Sequence, residues 1–423
     1  MKLNATSCMT MFLGFAVTLT CWPDLLLAQR SETAEFHSAS PEFVLGSDEL
    51  TAGIPGEGPL TVGEISDWLS DAKNHEPLKL KLPVGLDPHP NRLDKLPAPL
   101  TLAKIELGRQ LFFDTRLSAD NTVSCASCHE PDHGYTVPER FAKGVRGQMS
   151  DRNPPTLINR VMFAGIGEEE FWDGHAASLE DAVLMAITDP TEMDNTLEGV
   201  ITTLRRNKGY EKQFQRIYKG VTVASIGDAV AAFVRVIVSG ATPFDHHQAF
   251  ESLENYDKVT LAQDAELTRK YQDLKAAKED NPMSPAAVRG MSLYNDMDKA
   301  WCVGCHATPA FTDNSFHNIG VGMQHETPDL GRFLVTGDDM SRGAFKTPSL
   351  RNVTMTAPYM HDGRFRTLEE VLKYYGTDKF QNPHLDSRFE RIRLTDPEQE
   401  DLVEFLKACT GRLPRVTRDR LPE

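Results

Sequence analysis

The sequence predicts an all-α protein, mostly helical with long connecting loops. Apolar residues recur at helical spacing in several segments, while the alternation expected of strands is sparse. The 26 Pro and 29 Gly among 423 residues call for many short elements and long connections. At roughly 150 residues per domain, the length suggests two or three domains. Hydrophobic residues at 40% and charged residues at 25% form an ordinary soluble mix, which excludes wholesale disorder, collagen and a polytopic membrane protein.

The elements follow in chain order. Lys2, the apolar run 9–21 and Leu25–Ala28 read as a secretory signal peptide, residues 1–28, cleaved after Ala28. Pro23 and Asp24 interrupt the run, which is shorter than a span of about 20 residues. Thr20 argues against a lipoprotein anchor on Cys21. The expectation is an exported, periplasmic protein, soluble after cleavage. Residues 29–95 are rich in Pro, Gly and acidic residues, with one short helix near 61–73, and read as an N-terminal extension or clamp. Residues 100–113 place Leu102, Ile105, Leu111 and Phe112 on a helix. Ser178-x-x-Asp181 opens a helix over 178–188, and 225–239 forms an apolar helix ended by Gly240. The charged stretch 256–282 is the expected helical linker between a domain 96–255 and a domain 283–423. Ser284-Pro285 starts a helix carrying Val288, Met291 and Leu293. Thr367-x-x-Glu370 is a capping box opening a helix through Tyr375 to Gly376, and 397–409 forms the last amphipathic helix. Gly108…Leu111-Phe112 and Gly290…Leu293-Tyr294 suggest a weak internal repeat.

Cysteine usage carries the chemistry. Cys8 and Cys21 leave with the signal; four of the other five form Cys125-Ala-Ser-Cys128-His129 and Cys302-Val-Gly-Cys305-His306. C-x-x-C-H is the attachment motif of c-type haem. Cys at i and i+3 and His at i+4 share one face of a helical turn. Two thioethers then fix the porphyrin edge while the imidazole reaches the iron. A disulfide would leave both histidines unexplained, and zinc would lack its fourth ligand. Two covalently bound haem c groups are expected. Cys409 reads as a buried apolar filler. The formal charge of −16 argues against nucleic acid as a partner and leaves room for a basic protein partner.

The stretch ELGRQLFFDTRLSADNTVSCASCH (106–129), with FWDGH (171–175), SGATPFD (239–245), WCVGCHATPAFTD (301–313) and LRNVTMTAPYMHDGRF (350–365), resembles blocks of the bacterial di-haem cytochrome c peroxidase / MauG family. The resemblance runs from about 96 to 412 and leaves 29–95 outside. It implies two class-I cytochrome c-like haem domains packed around an inter-haem interface. The haem on His129 would be the peroxidatic site, and the haem on His306 would receive electrons from a small donor, a cytochrome c or a cupredoxin. Family members are often dimers, which makes a homodimer an expected assembly. Glu192, by sequence alone a solvated loop carboxylate, matches a general acid/base over the open iron. Trp172, otherwise a packed core residue, matches the Trp between the haems. Asn153, Thr356 and Pro358 match an inter-haem Ca²⁺ site, to which Asn153 would give a side-chain oxygen and the other two their carbonyls.

Two departures bear on the subfamily. No His lies in 134–152, where a second ligand often closes the first haem; His133 is the alternative, and an open iron is favoured. For the sixth position of the second haem, spacing from His361 points to Tyr375, as in MauG-type enzymes; Met360, Met355, Tyr374 or no protein ligand are the alternatives. Tyr favours oxidised iron, whereas Met with His raises the potential. The expected function is reduction of hydrogen peroxide to water. The alternatives are a MauG-type oxidase acting on aromatic residues of a partner protein and a non-enzymatic di-haem electron carrier.

Overall fold

Two helix crossings, each set by one glycine, organise the molecule. In the computed structural model, which describes residues 42–86, 90–165, 167–254, 256, 263–390 and 392–423, Leu102–Phe113 crosses Val223–Val234, and Pro285–Asn295 crosses Asp396–Ala408. A Cβ on Gly108 would stand 1.8 Å from the Ala229 carbonyl oxygen and 2.9 Å from Phe233 Cβ. A Cβ on Gly290 would stand 2.0 Å from the Asp401 carbonyl oxygen and 2.8 Å from Phe405 Cβ. The weak repeat in the sequence is therefore one crossing built twice. Both leading helices are capped as their sequences dictate: Thr101 Oγ1 accepts from the Lys104 N–H, and Ser284 Oγ from the Ala287 N–H.

Each crossing carries its own core. Leu107, Leu111 and Phe112 pack with Val230 and Phe233 in the first. In the second, Phe244, Tyr294, Phe311 and Phe405 meet edge to face or tilted, 5.0–6.2 Å apart. Burial of each such ring is worth roughly 1.5–3 kcal/mol. Cys409 is buried in this second core as a free thiol.

The cores divide between Val238 and Phe244, ahead of the 256–282 segment expected as the boundary. The helix Pro243–Glu254 gives Phe244 to the second core and holds the exposed Ala265–Asp280 helix through Phe250 and Tyr271. The apolar helix expected through 239 ends at Val234. Beyond it the backbone turns to bond Asn159, whose N–H donates to the Ile237 carbonyl and whose Oδ1 accepts from the Ser239 N–H.

Strand pairing among the described residues is limited to two short two-stranded sheets and isolated bridges. One sheet joins Glu42–Val44 to Lys79–Lys81 within the extension, whose helix Val62–Ser70 is opened by a Thr61/Glu64 capping box. The extension packs on the first half and grips the C-terminal segment. The Arg420 guanidinium, 2% exposed, donates to the carbonyls of Ile54, Pro55, Glu57 and Gly58 and to Glu64. Arg109 ties Glu106 to the carbonyls of Thr417 and Arg420. No single helix among the described residues is long and apolar enough to cross a membrane. Residues 1–28 lie outside the described residues.

Candidate di-haem active site

Both attachment motifs fold as tight turns that present their histidines alike. Cys125–Cys128 is one helical turn, and the His129 N–H donates to the Cys125 carbonyl at 2.9 Å. The His129 Nδ1–H donates to the Tyr135 carbonyl at 3.0 Å. In the second motif the His306 N–H donates to Cys302 at 2.8 Å. Its Nδ1–H is shared between the carbonyls of Phe311 and Pro348, at 3.2 and 3.1 Å. Since a carbonyl only accepts, Nδ1 carries the proton in both rings and Nε2 is left with its lone pair. Burial pushes both imidazoles down to about 4, so they stay neutral at physiological pH. A neutral ring with its second nitrogen anchored to backbone is the form a metal-ligating histidine takes.

The residues fit covalent haem. All five cysteines among the described residues are free. Burial pushes Cys125, Cys128 and Cys302 up to about 12 and Cys305 up to about 11, which holds them as thiols. A largely apolar cavity of about 230 Å³ opens on Cys302, Cys305 and His306. A metal held by Cys305, Asp313 and His317, whose ligand atoms lie within 4.8 Å of one another, does not fit as well. Both His317 nitrogens are already engaged, by Asp313 at 2.8 Å and Asp386 at 2.9 Å.

Tyr375 and Met360 both line that cavity. The expected helix through Tyr375 ends instead at Lys373, and Tyr374–Asp378 forms a π-helical turn. Such wide turns are frequent at functional sites. Tyr375 packs edge-on against Phe389, and its hydroxyl has no hydrogen-bond partner among the described residues. Burial raises its pKa above the ordinary phenol value. The Tyr374 hydroxyl is committed, donating to the Ile319 carbonyl at 2.9 Å and accepting from the Phe380 N–H. Met355 Sδ receives the Asn352 amide.

The seam between the halves runs through the same cavity. The Trp172 indole N–H donates to the Asn153 carbonyl at 2.7 Å, and the Trp172 carbonyl accepts from the Lys346 N–H at 2.7 Å. Asn153 N–H donates across the seam to the His361 carbonyl at 2.7 Å. The Asn153 amide group is spent on the Glu139 and Arg140 carbonyls. Asn153 Oδ1 and the carbonyls of Thr356 and Pro358 receive no hydrogen bond among the described residues, and all three residues line the cavity.

On the first half, Glu192 sits in a loop fixed by its backbone. The Val145 N–H donates to the Glu192 carbonyl at 2.8 Å, and the following Met193 is buried in the first core. The Glu192 carboxyl has no hydrogen-bond or ion-pair partner among the described residues. Burial, reinforced by Asp189 and opposed by His175, pushes it up to about 7. Its charge also acts on Cys125 and Cys128, which places it near the first motif. His133 is engaged at the surface: its Nδ1 faces Glu130 at 3.0 Å and the ring is half exposed.

Sequence reading missed the Asp173–His175 pair and the Arg152 fork onto Asp173 and Asp329. The D-x-H spacing in FWDGH was the available signal.

A family model for di-haem cytochrome c peroxidases matches residues 102–252. The chain is 32% identical over 340 residues to the methylamine utilization protein MauG of Methylophilus methylotrophus, covering 78% of this chain and 91% of that protein. It is 32% identical over 321 residues to the cytochrome c551 peroxidase of Nitrosomonas europaea, covering 75% and 83%. A solved MauG-like protein associated with microbial copper homeostasis superposes with a TM-score of 0.60 at 28% identity, covering 74% of this chain and 91% of that one. Paired haem motifs, similar fold and similar sequence converge: the chain is an oxidoreductase and belongs to the di-haem cytochrome c peroxidase and MauG family.

Proposed function

We propose that the protein is an exported, periplasmic peroxidase that reduces hydrogen peroxide to water with electrons from a small cytochrome c or cupredoxin. The observation that carries this reading is Glu192: an unpartnered, half-buried carboxyl near the first haem motif, pushed up to about 7. A carboxyl of that kind is protonated or ionised at will near neutrality, as a general acid/base must be. Bound haem would supply iron, one to take up peroxide and one to store an electron. Peroxide, two electrons and two protons give two waters. Glu192 would take the proton from one peroxide oxygen and return it to the other, so that water leaves. Trp172, bonded to both halves, would relay electrons across the seam. Asn153 Oδ1 with the Thr356 and Pro358 carbonyls would hold Ca²⁺, a hard cation that takes such oxygens, and fix the spacing of the haems.

One observation favours a second reading, a MauG-type oxidase acting on aromatic residues of a partner protein. The Tyr375 hydroxyl has no hydrogen-bond partner among the described residues and its ring lines the cavity at the second motif, where a Tyr ligand would favour the oxidised iron of that haem. Steady-state assay with reduced cytochrome c and peroxide separates the two. Sustained turnover is expected; no turnover together with oxidation of a co-purified protein would favour the second. Two six-coordinate low-spin irons, unchanged by peroxide, would sink both readings and leave an electron carrier.

A further inference from the structure

The cavity at the second motif is lined by two buried polar side chains that the described residues leave short of partners. The first is Lys346, which follows Phe345 on a short strand paired with Phe316–His317. It is 8% exposed and lines the cavity. Its ammonium has three hydrogens to donate. Only one is spent on a hydrogen bond, to the Glu169 carbonyl at 2.5 Å. The two carboxylates that act on it are engaged elsewhere: Glu170 pairs with Arg160 at 2.6 Å, and Glu169 with Arg332 at 3.4 Å. Lys346 and Arg332 also lie over the same Phe316 ring, at 5.3 and 4.2 Å. Three cations thus stand against two carboxylates, and Lys346 makes no ion pair among the described residues. Burial, joined by Arg160 and Arg332 and opposed by Glu170 and Glu169, pushes it down to about 8. A lysine is almost never buried without a partner.

The second is His361, 5% exposed on the same cavity. Neither ring nitrogen has a hydrogen-bond partner among the described residues. The ring is held instead by its neighbours' rings. Phe345 stacks on it, centroids 3.5 Å apart and 10° from parallel, and Trp172 meets it edge to face at 6.5 Å. An imidazole offers at least one N–H in every protonation state.

A buried ammonium short of an anion and a buried imidazole short of an acceptor share one cavity with Cys302, Cys305 and His306. We propose that Lys346 and His361 form a carboxylate site whose ligand is a propionate of the haem attached at Cys302 and Cys305. The thioethers hold one edge of the porphyrin; its two carboxylates lie on the opposite edge and need partners of their own. The same two residues hold the seam through their backbones. The Lys346 N–H donates to the Trp172 carbonyl, and the His361 carbonyl accepts from the Asn153 N–H, both at 2.7 Å. A propionate held there is tied to the segments that fix Trp172 and Asn153. This role rests on haem attachment alone and is independent of the reaction catalysed.

Resonance Raman spectra of the ferric holoprotein test this without turnover, because the bending frequency of a haem propionate rises with the hydrogen bonds it accepts. Mass analysis first establishes that each variant carries two haems. Lys346→Gln should move the bending band of one haem to lower frequency and leave that of the other in place. Lys346→Arg should return it toward the wild-type position. His361→Phe, which keeps a ring against Phe345, should move the same band by a smaller amount. Bands unmoved in Lys346→Gln, with both haems attached, would overturn the proposal. A diffusible anion is the rival source of the same chemistry. Chloride or acetate titrated into the wild type would then change the Soret band while the propionate bands of Lys346→Gln stay in place, and that result would overturn the propionate assignment. Should Lys346→Gln not fold, unmoved bands in His361→Phe would overturn it equally.

Discussion

The two halves begin alike and finish differently. Each opens with a helix whose glycine lets a partner helix approach to backbone contact, Gly108 on Ala229 and Gly290 on Asp401. Each continues into C-x-x-C-H and anchors its imidazole Nδ1 to backbone carbonyls. Beyond that point the first half offers an unpartnered carboxyl, Glu192, and the second offers Tyr375 and Met360 on an apolar cavity. The repeated scaffold presents the two attachment motifs alike, and the loops that follow surround them differently. Asymmetric surroundings have been laid over a nearly symmetric frame.

That contrast can be broken from either side. Glu192→Gln should retain two haems by mass and lower peroxide turnover by about 10²–10⁴-fold, the usual worth of a general acid/base. Full turnover in that variant would remove the distinction between the halves. Gly108→Val and Gly290→Val should each cost about 3 kcal/mol or more in guanidinium unfolding, because a side chain would strike backbone. If only one is costly, the two crossings are not equivalent. On the second half alone, burial depresses His317, but its bonds to Asp313 and Asp386 prevail and raise it from 6.5 to about 9. Its stabilisation is therefore complete below about 6.5 and lost as pH rises through about 9. The stability gap between wild type and His317→Asn should narrow by about 2–3 kcal/mol between pH 6 and pH 10, followed by unfolding at each pH. Last, Tyr375→Phe should change the low-spin EPR signal of the second haem while leaving peroxide binding at the first unchanged, and Met360→Leu should leave that signal as it is.

What could be read from the sequence is what local chemistry dictates. Ser178, Ser284 and Thr367 cap helices through contacts three residues away, so their helix starts were plain. The haem motifs are five residues long and carry their meaning in their spacing. Glu192 and Trp172 came through resemblance, since nothing near Glu192 in sequence says that its carboxyl will be half-buried without a partner. Tertiary features did not show. Val236–Val238 continue a helical pattern, yet Asn159, some eighty residues earlier, draws the backbone away. Phe244 lies before the charged stretch 256–282 but joins the core that follows it, because an aromatic cluster with Phe311 and Phe405 is the better burial. Asp173 and His175 gain their pairing from a turn that composition does not announce.

The grip of residues 50–64 on the segment 412–423 sets an order of events during biogenesis. Arg420 and Glu423 complete contacts with Ile54 and Leu60 in the extension and with Asn207 in the first half. These residues are synthesised after both C-x-x-C-H motifs, so the brace on the first half closes only once the second motif exists. The brace is therefore a long-range contact that only the complete chain can close.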